Sequence, residues 1–237
     1  MEFKKSAMTL GLSAFMAFSA IGTTSSVHAF GLDSVKSMVG GENATGGGAV
    51  DVDSLVTKQK DLMGRFNIAM QNMLLAQSNV LAAGNLKEQA ELASATAAHY
   101  ATGNVVSKDQ LDRDTQLTAE NNARIQEIFS QKSQLSEEGR ALLLAAVPHY
   151  AKGVYEGTKL PDAFSDWSAS ASGGISSLSS NPMGAASLKQ SLGEVVVVTT
   201  NLPALISAWG ATTRDFVAFA KSNEINVGDV ESQLGEL

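Results

Sequence analysis

The chain has 237 residues, no cysteine and a formal net charge of −7. The lack of cysteine removes disulfides, thiolate metal sites, lipid-modified cysteines and thiol nucleophiles from consideration. The acidic balance also argues against a nucleic-acid partner, because a phosphate backbone is gripped by clustered Lys and Arg.

The N-terminus reads as a secretory signal peptide over 1–29. Lys4 and Lys5 form a basic start, Leu10 to Ile21 an apolar stretch, and Val27-His28-Ala29 a small-residue cleavage site. The apolar run is too short for a membrane anchor. Its removal takes away Glu2 with the two lysines and leaves the remaining chain one charge more negative. The expectation is an exported bacterial protein, periplasmic or secreted, whose stability comes from core burial alone.

Residues 30–50 carry Gly40-Gly41 and Gly46-Gly47-Gly48, whose backbone entropy opposes regular structure. They read as a disordered Gly-rich segment. A helical domain is expected over 51–225, followed by a short acidic tail over 226–237.

Asp51 or Asp53 caps the first long helix of that domain. Leu62, Phe66, Ala69, Met73, Ala76 and Val80 recur at spacings of four and three, the seam of a helix bundle. Met63 and Met70 widen it as core filler. Gly84-Asn85 ends the helix. The second helix runs from Leu86 to about Thr102, with a narrow stripe of Ala90, Ala93, Ala97 and Tyr100. Gly103 is its expected left-handed terminator.

Ser107 and Gln110 form a capping box for the third helix. Leu111, Thr118, Ile125 and Lys132 follow one heptad line, and Asp114, Asn121, Ile128 and Leu135 its partner. The polar first half of this face (Asp114, Thr118, Asn121) is expected to project into solvent. The alternative is a buried polar layer that fixes register or holds a small ligand.

Ser136 caps a fourth helix with Glu137 and Glu138 in its first turn. The stretch from Gly139 to Gly157 is the most distinctive of the chain. Leu142, Leu143, Leu144 and Val147 make it apolar around much of its circumference, which places it centrally. Pro148 has no N–H for the Leu144 carbonyl and should kink it. Beyond Gly157 a short new helix is expected near Pro161, carrying Phe164 and Trp167. A serine-rich flexible connection or poorly ordered helix follows over 168–181.

Pro182 opens the next helix. Val195 to Val198 with Thr199 and Thr200 favours strand by propensity. No second strand is available to pair with it, so helix is expected. Pro203 should kink or restart that helix. The last helix then carries Leu205, Trp209, Phe216, Val217 and Ala220.

The fold class is therefore all-α, an up-and-down bundle of about six helices. Two H-Y-A-x-G turns stand out within it, His99-Tyr100-Ala101-Thr102-Gly103 and His149-Tyr150-Ala151-Lys152-Gly153. Each is expected at the C-terminal end of an Ala-rich helix, so the two could be an internal duplication. Candidate binding residues are His99, Tyr100, His149, Tyr150, Asp114 and Asn121, with Pro148, Gly103 and Gly153 as structural residues. His99 and His149 form an incomplete ligand set, with no cysteine and no E-x-x-H spacing. No metal and no cofactor is therefore expected, and a metal- or haem-binding bundle is only an alternative.

No G-x-S-x-G elbow and no phosphate-loop fingerprint occurs in a suitable context, so an enzyme is not expected. Val195 to Thr213 is an uncharged stretch that reads as a buried helix. A membrane-active, pore-forming-like protein using it is the other alternative. The leading reading is a non-enzymatic exported bundle that acts as a binding or structural module for a protein or small-ligand partner.

Overall fold

The computed structural model describes residues 52–103, 107–131, 135–177 and 182–235, all-α with six helices and no strand among them. These are α1 (Val52–Ala83), α2 (Lys87–Ala101), α3 (Lys108–Gln131), α4 (Glu137–Ser177), α5 (Pro182–Ser222) and α6 (Gly228–Leu234). The expected signal peptide, the Gly-rich segment, Asp51 and Lys132 lie outside the described residues. Asp53 falls inside α1.

The axis of the bundle is α1. It packs most extensively against α4 and next against α2, while α5 lies mainly along α3 and α6 along α4. All six residues of its expected seam are buried, from Leu62 to Val80. Each large apolar side chain so buried contributes roughly 1.5–3 kcal/mol. The stripe of α2 is also the one expected, with Ala90, Ala93, Ala97 and Tyr100 as its buried residues. Alanine lets the α1 and α2 backbones approach closely.

The turn after α1 is a Schellman ending centred on Asn85, which has φ +66°. Leu86 N–H donates to Leu81 O and Asn85 N–H to Ala82 O, both at 2.9 Å. Gly84 has a different duty, because a Cβ there would lie 2.2 Å from Ile128 Cδ1 of α3. Gly103 ends α2 with φ +68°, as expected.

Three expectations are corrected. First, the polar half of α3 does not project into solvent: Asp114, Thr118, Asn121 and Asn122 are buried. Their partners on other helices are Tyr100 of α2 and Gln77 of α1. Second, α4 does not end near Gly157 to restart at Pro161. It runs unbroken through Pro148 and Pro161, and the serine-rich stretch continues it to Ser177. Leu144, on its outer side, is 57% exposed, so α4 is not apolar all round in place. Third, of the two outcomes expected at Pro203, a kink or a restart, the restart does not occur, since α5 runs through it.

The valine run is helical, and Val195, Val198, Leu202, Leu205 and Trp209 form its buried edge. No described helix is long and apolar enough to cross a membrane. The acidic end of the chain forms α6, and Ile225, Val227 and Val230 are buried in the core.

Ring contacts join the long helices. Phe129 of α3 stacks on Phe219 of α5 at 4.5 Å, and Tyr150 of α4 lies over Phe216 at 4.3 Å. Trp209 covers Gly157, whose added Cβ would meet the indole at 3.5 Å.

Candidate functional site

The two H-Y-A-x-G turns share letters but not structure. The first closes α2, whereas the second lies in the middle of α4, contrary to the expectation that both end a helix. Gly103 supplies a left-handed backbone. Gly153 instead supplies a close helix contact, since a Cβ there would lie 2.6 Å from Met73 Sδ of α1.

The two histidines have different surroundings. His99 is exposed, with its ring edge-on to Tyr100 at 6.0 Å. His149 is half-buried, with Nδ1 3.1 Å from Asn72 Oδ1. Asn72 donates its own Nδ2 to Ile68 O at 2.8 Å, which leaves Oδ1 to accept and puts the ring proton on His149 Nδ1. Burial pushes the His149 imidazole below its ordinary range. Among the described residues no three His, Asp or Glu side chains are grouped to hold a metal ion.

The tyrosines differ as well. Tyr150 is fully buried, and its hydroxyl has no hydrogen-bond partner among the described residues. Burial, and then the charge of Asp215, hold it protonated far above the usual tyrosine range. Tyr100 donates its hydroxyl to Asp114 Oδ2 at 2.8 Å. Burial, with the Asp114 charge and that hydrogen bond added, likewise keeps it protonated.

Asp114 and Asn121 belong to one buried polar layer between α1, α2 and α3. Gln110 Nε2 donates to the second Asp114 oxygen at 2.7 Å, so both carboxylate oxygens are met. Two turns further along α3, Asn121 Nδ2 donates to Gln77 Oε1 at 3.1 Å. Gln77 Nε2 in turn donates to Asn122 Oδ1 at 2.7 Å and to Thr118 O at 3.3 Å. Gln77 is completely buried. Among the described residues its side-chain bonds all run to α3, which ties the register of α3 to that of α1.

The open site lies on the other side of Tyr100. A groove of about 660 Å³ runs along α1, walled by Tyr100, Ala101 and Gly103 at the end of α2. Its floor is two neighbouring rows of α1 at four-residue spacing: Val56, Lys60, Gly64 and Ile68, and Gln59, Met63, Asn67 and Gln71. Gly64 keeps the floor low, since no atom lies within 4 Å of where its Cβ would be.

Asn67 beside it is only 5% exposed, and its Oδ1 has no hydrogen-bond partner among the described residues. Such a buried amide oxygen costs about 1–3 kcal/mol while unmet. Lys60 is the one charged residue among the described residues of the lining. The spacing of this row is plain in the sequence, but nothing in the sequence places the end of α2 beside it.

The chain matches no known protein family, and no curated protein or solved structure is significantly similar to it.

Proposed function

We propose that the chain is an exported, non-enzymatic binding protein that takes an elongated, partly polar guest in the groove along α1. The observation that carries this reading is Asn67, a buried amide with an unmet oxygen beside the open floor at Gly64. A packed core rarely keeps such an atom without a partner. A guest carrying a polar hydrogen would supply the bond, and Met63, Ile68 and Val56 would cover its apolar part. Lys60 at the groove favours a guest with an anionic group. The buried polar layer then serves to hold the α2 wall in place through Tyr100 and Asp114.

The test uses the anionic dye 1-anilinonaphthalene-8-sulfonate on the full chain, with Gly64→Leu as the blocking variant. A leucine there projects into the open groove without touching the core. The expected result is one dye site per chain, lost in Gly64→Leu while thermal stability is kept. Equal dye binding by the two proteins, or none by either, would overturn the reading.

A further inference from the structure

We infer that the outer face of α4 pairs with the same face of a second copy of this chain. The product is a two-fold dimer with antiparallel α4 helices, Leu144 at the axis, and Lys152 of each chain beside Glu137 and Glu138 of the other. This goes beyond the groove reading and does not depend on it.

The face is apolar and uncovered. Ala141, Leu144, Ala145 and Pro148 recur at spacings of three and four, so they share one side of α4, and all four are exposed. Leu144, at 57%, is the most exposed large apolar side chain among the described residues. The core takes the other side of this stretch, through Leu143, Ala146, Val147 and Tyr150. A helix face left to solvent is ordinarily charged or polar. This row is charged only at its ends, by Glu137 one turn before Ala141 and Lys152 one turn after Pro148. Neither they nor Glu138 have an ion-pair partner among the described residues.

Those charges select the occupant. The row reads negative, apolar, positive, so it is complementary to itself turned end over end. With the two-fold axis midway between Leu144 and Ala145, residues equally far before and after the axis face each other. Ala141 then meets Pro148 of the second copy, and Lys152 meets Glu137 with Glu138 at its flank, once at each end. Leu144 and Ala145 meet their own counterparts at the axis. Sliding one helix two turns along the other sets Lys152 against Leu144 and loses both charge pairs, so the register is specified.

Alanine at 141 and 145 lets the two backbones approach to about 8 Å. The contact from Glu137 to Lys152 is about 22 Å long. A single helix pair of that length is a small interface, at or below the roughly 1,200 Å² of stable complexes, so the dimer is weak and concentration-dependent. The Leu144 carbonyl freed by Pro148 keeps a bridging water, as polar groups at interfaces commonly do. Each chain carries −7, but that long-range repulsion is screened beyond about 8 Å at physiological ionic strength. The groove stays open. His149 lies beside Asn72 and Glu156 beside Arg65, so the row from Glu137 to Pro148 is level with α1 beyond Asn72, whereas the groove ends at Gln71.

The test is sedimentation equilibrium of the full chain from about 10 μM to about 1 mM, which spans weak association. Expected is a reversible monomer–dimer equilibrium whose dissociation constant rises at least tenfold in Leu144→Glu and in Lys152→Glu. Residue 144 is exposed, so Leu144→Glu should keep its melting temperature and its dye binding. The deciding measurement exchanges the charges. Lys152→Glu and the double variant Glu137→Lys/Glu138→Lys each set like charges together at both ends and should self-associate poorly. Mixed in equal amounts, they should form a heterodimer within about threefold of the original affinity. A monomer throughout the range, a dimer unchanged by Leu144→Glu, or a mixture no tighter than its two components would overturn the inference. A dimer lost in Gly64→Leu but kept in Leu144→Glu would place the contact at the groove and overturn it as well.

Discussion

Gly64 and Gly153 both lie well inside long helices, and the same substitution should act on them with opposite sign. In an exposed helix interior, Gly→Ala gains about 1 kcal/mol from backbone entropy and helix propensity. At Gly64 the new methyl meets no atom within 4 Å, so that gain should be realised in full. At Gly153 it would lie 2.6 Å from Met73 Sδ, 2.9 Å from Met73 Cγ and 3.2 Å from the Met73 backbone nitrogen. Met73 is 1% exposed, so its side chain has little room to withdraw, and the backbone nitrogen can move only with α1 itself.

Overpacking of this kind costs about 1–3 kcal/mol, and forcing apart the most extensive helix pair of the bundle belongs at the upper end. Subtracting the propensity gain leaves Gly153→Ala destabilised by about 1–2 kcal/mol. Gly64→Ala should be stabilised by about 0.5–1 kcal/mol. Urea melts with a common m-value read both differences directly. A third variant tests the cause: Met73→Ala empties the space that the new methyl needs. The double variant should then be more stable than the sum of the single effects implies, by about 1–2 kcal/mol. Equal signs for the two glycine variants, or strict additivity with Met73→Ala, would refute the close-contact argument.

Gln77→Met should cost about 2–5 kcal/mol in urea melts, because it strips Asn121 Nδ2 and Asn122 Oδ1 of their buried partner at once; a cost under 1 kcal/mol would show that water replaces the amide. Alkaline stability should fall steeply. Tyr100 and Tyr150 are held protonated in the folded chain but ionise near pH 10 once unfolded, so their contribution is complete below pH 10 and is lost as pH rises above it. Together they should give a slope approaching about 2.7 kcal/mol per pH unit, with phenolate absorbance appearing for both only as the chain unfolds. His149 acts at the other end of the scale. Its folded value is lowered, so the unfolded chain takes up the proton first and stability falls as pH drops below about 6.5. Imidazole NMR titration should place His149 below that value, and His149→Gln should flatten the melting temperature between pH 7 and pH 5.

The apolar skeleton was legible in the sequence because it is periodic and local. Leu62 to Val80 and Ala90 to Tyr100 are spaced as one helix face requires, and both faces are buried. The fate of Asp114, Thr118 and Asn121 was not legible, because it depends on Tyr100 of α2 for Asp114 and on Gln77 of α1 for the other two, and Gln77 is 44 residues from Asn121 in sequence. A polar half-face reads the same whether water or another helix meets it. The H-Y-A-x-G turns misled for a related reason. Four matching letters in five do not carry their neighbours, and Gly103 terminates a helix while Gly153 admits Met73. Likewise the row Gln59, Met63, Asn67 and Gln71 could be seen, but not the α2 wall that turns it into a groove.

No proline ends a described helix, and the positions of Pro148 and Pro203 say why. A proline inside a helix removes one N–H and so frees the carbonyl four residues back, a large penalty only where water cannot reach. Pro148 and Pro203 are both exposed, on the outer sides of α4 and α5. For Pro148 the freed carbonyl belongs to Leu144, itself 57% exposed, so solvent can satisfy it. The neighbouring buried residues, Val147 and Tyr150, keep the helix docked across the defect. A long helix wrapped around a core is convex toward solvent, and a proline on that outer face lies where curvature is already wanted. Pro148→Ala restores the donor to Leu144 and returns up to about 3 kcal/mol of helix propensity, less whatever the bundle loses as α4 straightens. The expected outcome is unchanged or raised stability, by 0 to about 3 kcal/mol in urea melts, with the His149 Nδ1–Asn72 bond as the nearest reporter by NMR. A loss of more than about 2 kcal/mol would mean that α4 needs the bend to reach α1, and that the helix runs through Pro148 because of the proline and not in spite of it.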